Sequence, residues 1–121
     1  MTNQIEQREQ ISFTNYIKIK YPNLLWTIST GGVRLPIGLA KKMKNMGYVA
    51  GTPDIMIFEP NKQYKGLFIE LKRPKTAFSA KGATYPHQTA FLGELSKRGY
   101  KAVVCYGSGM AIETLEDYLN G

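Results

Sequence analysis

One cysteine, one histidine and one tryptophan occur among the 121 residues, and nine acids stand against sixteen lysines and arginines. A lone Cys105 closes no internal disulfide, which fits a reducing compartment. Set in the apolar run KAVVCY, it reads as a packed strand residue and not as a nucleophile. His87 has no acidic neighbour in sequence and falls in the first turn of an expected helix, so it reads as a surface residue. No run approaches the roughly 20 apolar residues needed to cross a bilayer, and the polar opening MTNQIEQREQ lacks the apolar centre of a secretory signal. Cytoplasmic residence without a membrane partner is therefore expected. Repeats, low-complexity tracts and linkers are also missing, so residues 1–121 read as one domain.

The shortage of acids leaves a formal net charge of +7, which favours a polyanionic partner, nucleic acid before others. Apolar spacings of three and four predict a helix over 4–20, ended by Tyr21-Pro22. LLWTIS reads as a strand closed by Gly31-Gly32. A lysine-rich helix is expected over 36–46, with Ile37, Leu39, Ala40, Met43 and Met46 as its apolar side and Gly47 just past its end. DIMIF (54–58) and GLFIELK (66–72) are strand patterns around a turn. A helix over 86–98, the strand KAVVCY and a last helix over 108–119 follow, the last with Met110, Ile112, Leu115 and Leu119 inward. The order α-β-α-β-β-α-β-α predicts an α/β fold, a mixed sheet flanked by helices.

Within this plan one pairing carries chemistry. A hairpin centred on Lys62 sets Phe58 opposite Gly66, Met56 opposite Phe68 and Asp54 opposite Glu70, and alternation puts Lys72 on the face of Glu70. An E-x-K on a strand is ordinarily a structural ion pair. A second acid facing it changes the reading, because two carboxylates repel and packing does not ask for them. A hard divalent cation does, taking a few carboxylates together with water and phosphate oxygens. Lys72 could then orient the attacking water and stabilise charge developing on a phosphodiester.

Basic residues surround this cluster in sequence. Arg34 is a candidate phosphate contact, and Lys41, Lys42 and Lys44 could form a track along the DNA backbone. Arg73, Lys75 and Lys81 bracket the 73–85 loop, which is placed to act as a mobile flap, with Tyr85 or Phe78 available to stack on a base.

GTPD, fifteen intervening residues and then ELK resemble the PD-(D/E)XK nuclease signature. More narrowly, GGVRLPIGLAKKMKNMGYVAGTPDIMIFEP, then GLFIELKRP, then PHQ resemble the stand-alone virus-type replication-repair nuclease (VRR-NUC) domains of phages and bacteria. The resemblance implies a restriction-endonuclease-like αβββαβ core and Mg²⁺- or Mn²⁺-dependent cleavage of DNA in a bacterial or phage-infected cell. It implies metal ligation by Asp54, Glu70 and the Leu71 backbone carbonyl, with Lys72 catalytic. It further places an acid of the first helix on Glu6, with Glu9 as the fallback, and a site glutamine on Gln88. Four-way junctions as substrate and a homodimeric state are likewise implied. Thr30 and Tyr85 depart from the usual Asn and Ser of the pattern. Two other functions stay open: a less selective nicking or flap nuclease, and a non-catalytic basic DNA-binding protein.

Overall fold

Parity divides the central strands into two faces. In the computed structural model, which describes residues 3–30, 35–77 and 80–121, β2 (Ile55–Ile57) and β3 (Leu67–Lys72) run antiparallel. Ile55 lies opposite Ile69, Met56 opposite Phe68 and Ile57 opposite Leu67, the register expected of a hairpin centred on Lys62. The odd-numbered residues Ile55, Ile57, Leu67, Ile69 and Leu71 form one face. They are sealed by Phe13 and Ile17 of α1 (Asn3–Lys20) and by Ala111, Leu115 and Tyr118 of α4 (Ser108–Asn120). The even-numbered face carries Met56, Phe68, Glu70 and Lys72, with Tyr100 edge-on to Phe68 at 5.2 Å between ring centroids.

The sheet has the order β1-β2-β3-β4. β1 (Trp26–Ile28) pairs antiparallel with β2, and β4 (Lys101–Tyr106) pairs parallel with β3. A parallel neighbour requires a crossover, supplied by α3 (Pro86–Lys97). Helix α2 (Ile37–Asn45) is inserted between β1 and β2, and Gly47 just past its end takes the positive φ that such an end favours. The element order and the mixed α/β architecture are those expected from the sequence. No helix among the described residues is long and apolar enough to cross a membrane.

Three expectations shift. β1 and β2 are each three residues long, with single backbone bonds carrying the pairing on: Ser29 N–H to Asp54 O and Phe58 N–H to Leu25 O. The buried residues of α4 are Ala111, Leu115 and Tyr118; Ile112 and Leu119 pack half-buried against the core as expected, whereas Met110 is exposed. Tyr118 can be buried because its hydroxyl donates to Glu59 O at 2.7 Å. The apolar side of α2 is not core at all, for Ile37, Leu39 and Met46 are exposed and no residue of the helix is buried.

Away from the acid end, α1 and α4 are clamped together. The Tyr16 and Tyr21 hydroxyls donate to Glu116 Oε2 at 2.6 and 2.7 Å, and Lys20 Nζ reaches Oε1 at 3.1 Å. These donors, Tyr16 foremost, hold the Glu116 carboxyl down at about 2.

Candidate active site

Where β2 stops, a side chain takes over from the backbone. Asp54 Oδ2 accepts the Leu71 N–H at 2.8 Å, so β3 runs on past the last backbone pair with its edge satisfied by a carboxylate. Opposite Asp54, Glu70 Oε2 lies 3.5 Å from Lys72 Nζ and accepts the Gln88 Nε2 donor at 3.3 Å. Asp54, Glu70 and Lys72 are the three charged residues buried among those described, at 7%, 4% and 6% exposure.

Each carboxyl thus spends one oxygen on protein donors. The others, Asp54 Oδ1 and Glu70 Oε1, are buried and meet no donor among the described residues. Burial, followed by the neighbouring Asp54 charge, pushes the Glu70 carboxyl up to about 8. Burial also raises Asp54, against the opposing pull of the Leu71 N–H. Without a cation the facing carboxyls are therefore driven to share a proton. Two orphaned carboxylate oxygens beside an ammonium fit a hard divalent cation, which would replace that proton. Among the described residues no three His, Cys, Asp or Glu side chains gather closely enough to hold an ion, so water, phosphate or backbone oxygens would complete such a shell.

Helix α3 aims Gln88 through its own N-terminus. Gln88 Oε1 accepts the Tyr85 N–H at 3.1 Å, which leaves the amide nitrogen to face Glu70. The GTPD turn backs this arrangement. Gly51 has φ +94°, and a Cβ there would run into the His87 carbonyl oxygen.

Helix α1 separates the two candidate acids. Glu6 is half-buried, and its carboxyl is raised by burial first, then adjusted by the Lys72, Asp54 and Arg73 charges around it. Glu9 is committed elsewhere: its Oε1 accepts the Ser108 N–H at 2.6 Å, at the start of α4.

The basic candidates are spread more widely. Lys41, Lys42 and Lys44 lie exposed on α2, and Arg34 and Phe78 lie outside the described residues. The 73–85 loop folds back on itself: Gly82 N–H donates to Arg73 O at 2.8 Å, and Arg73 Nε donates to Ala80 O at 3.0 Å. Lys75 is exposed, and Lys81 Nζ sits 4.8 Å from the centre of the Tyr106 ring.

Two aromatic neighbours were not assigned to the acid cluster from sequence. Tyr48 is half-buried, its phenol raised by burial first and then by Asp54 and Glu70. The Tyr85 ring lies 5.6 Å from Lys72 Nζ. Tyr48 carries no sequence signal beyond its place between Gly47 and the GTPD turn. Tyr85 departs from the family pattern and is one of the two rings, with Phe78, that the sequence offers for stacking on a base.

A mixed sheet bearing Pro53-Asp54 at one strand's start and Glu70-Leu71-Lys72 at the end of its neighbour is the arrangement of a PD-(D/E)XK nuclease. The VRR-NUC domain family profile matches residues 27–109, and the chain belongs to that family. A solved structure described as a "VRR_NUC domain protein" is similar at 27% identity and a TM-score of 0.75, covering 96% of this chain and 88% of that one. No curated protein matches the chain.

Proposed function

We propose that the protein is a metal-dependent, structure-selective DNA endonuclease. The observation that carries this reading is the pair of buried carboxylate oxygens, Asp54 Oδ1 and Glu70 Oε1, which meet no donor among the described residues although their two carboxyls interact and Lys72 pairs with Glu70. Structural ion pairs leave no such orphans, because a buried carboxylate without partners is costly.

Asp54, Glu70 and the Leu71 carbonyl would hold Mg²⁺ or Mn²⁺. The Leu71 N–H points to Asp54, and in a strand the carbonyl of the same residue faces the same neighbour, which supports that third ligand. A cation bound there would supply Lewis acidity, neutralising phosphate charge and acidifying water. Lys72 would stabilise the charge growing on the phosphate oxygens as water attacks in line and the bond to the 3′ oxygen breaks. Gln88, tied to the Tyr85 N–H, would keep Glu70 Oε2 occupied so that Oε1 stays turned to the ligand. Glu6, at the rim, would orient water or a second cation. Arg34, Lys41, Lys42, Lys44, Arg73, Lys75 and Lys81 would contact the DNA backbone.

Branched DNA, four-way junctions first, is the substrate this reading favours. Since one chain carries one such site, paired cuts across a junction would need a homodimer. The test is cleavage of end-labelled junction, flap, nicked and linear duplex DNA with Mg²⁺, Mn²⁺ or EDTA. Paired nicks at the junction, abolished by EDTA and by Lys72→Ala, are expected. Equal cutting of every substrate would remove the structure selectivity. Binding without cutting in either metal would leave a DNA-binding protein with a structural acid pair.

A further inference from the structure

Tyr85 occupies the residue before α3, yet its side chain takes no part in capping that helix; its backbone N–H does the work through Gln88. The residue is 54% exposed, and Lys72 Nζ lies over its ring, 5.6 Å from the centroid. Two residues on, the exposed His87 ring lies almost parallel to it, at an interplanar angle of 6° and a centroid separation of 6.1 Å. At that separation the two rings are not in close face-to-face contact. The site therefore has, beside its ammonium, two parallel aromatic rings that core packing does not use.

We infer that Tyr85, extended by His87, is a stacking platform for an unstacked nucleobase next to the scissile phosphate. The inference rests on the nuclease reading above. A phosphate seated against Lys72 brings the base of an adjoining nucleotide within reach of a ring 5.6 Å away. Aromatic stacking suits any base, because each has a π-face, so the platform selects conformation and not sequence. A base inside continuous duplex has both faces covered by its neighbours and must leave the stack to use the ring. Branch points, flaps and frayed ends offer such bases at little cost. The platform would thus supply, through one side chain, the preference for interrupted duplex that the acid pair alone cannot.

The test places 2-aminopurine, one position at a time, across the branch of a flap and a four-way junction. Its emission is read on binding in EDTA. With the wild-type protein, emission is expected to drop at the one or two positions flanking the cut that is mapped separately with Mg²⁺. Tyr85→Ala is expected to abolish the drop, and Tyr85→Phe to retain it. An abasic nucleotide at that position should weaken wild-type binding roughly tenfold, the value of one base–aromatic stack, and should leave Tyr85→Ala binding unchanged. His87→Ala should reduce the quench in part, and it serves alone if Tyr85→Ala does not fold. Bound DNA with unaltered emission at every position overturns the platform, as does an equal drop in Tyr85→Ala. Cutting without quench removes the platform and spares the nuclease; quench without cutting in Mg²⁺ or Mn²⁺ does the reverse. Failure to bind either DNA overturns both.

Discussion

Asp54 Oδ2 accepts the Leu71 backbone N–H at 2.8 Å, one position beyond the last backbone pair of β2 with β3. The same carboxyl keeps its second oxygen buried, with no donor to it among the described residues. Asp54 therefore ends one strand, satisfies the edge of the next and presents a ligand. Those roles separate by substitution. Asp54→Asn keeps an acceptor for Leu71 and removes a buried charge that burial disfavours, so without metal it should melt at or above the wild-type temperature. Cleavage should fall by at least about 100-fold. Asp54→Ala leaves the Leu71 N–H buried and unmet, at a cost of about 1–3 kcal/mol. Thermal melts in EDTA, paired with initial rates, read both effects.

Glu70 gives a pH dependence of unusual sign. Its carboxyl ionises near 4.5 in the unfolded chain but near 8 when folded, so the folded state holds its proton more tightly. In EDTA the Glu70 contribution to stability should be largest below pH 4.5, fall as pH rises through that interval and level off above 8. Glu116, held at about 2, acts oppositely: the stability it adds is complete above 4.5 and lost as pH falls toward 2. Glu70→Gln should flatten the upper slope. Saturating Mg²⁺ should reverse it, because ligation requires the ionised pair. Melting temperature against pH, with and without Mg²⁺, checks the direction.

Glu9 and Glu6 lie one helical turn apart and should behave differently. Glu9→Ala removes the acceptor for the Ser108 N–H and should cost about 1 kcal/mol of stability, as lost helix caps do. Glu6→Gln should leave stability nearly unchanged and lower the cleavage rate. Denaturant melts and rates on both variants separate the assignments; a rate loss confined to Glu9 variants would reverse them.

Gly51 couples the turn before Asp54 to the start of α3. Gly51→Ala forces a side chain onto a residue at φ +94° and into the His87 carbonyl, so a loss of about 1–3 kcal/mol is expected. Because Gln88 moves with that helix end, cleavage should fall at least as far as in Gln88→Ala. A variant with unchanged melting and rate would show that the turn adapts without disturbing α3.

The acid pair was readable from sequence because the hairpin register follows from two apolar runs and the turn between them, and one pairing rule then sets Asp54 opposite Glu70. Other features are tertiary. Met110 is more apolar than Tyr118, yet Tyr118 is the buried one, because a carbonyl at Glu59 lies within reach of its hydroxyl. Helix α2 has an apolar pattern of which the described residues leave Ile37, Leu39 and Met46 exposed. The commitment of Glu9 to α4 joins residues 99 positions apart, which local spacing does not reveal. Tyr48 joins the site through the path of a loop, with no motif of its own.

The central claim is that Asp54 Oδ1 and Glu70 Oε1 hold a divalent cation, and diffraction from crystals soaked in Mn²⁺ tests it most directly. The account predicts an anomalous peak roughly 2.0–2.2 Å from both oxygens, on the side of the Leu71 carbonyl, and its loss in Asp54→Asn. Well-ordered carboxyls with no peak between them at saturating Mn²⁺ would contradict it.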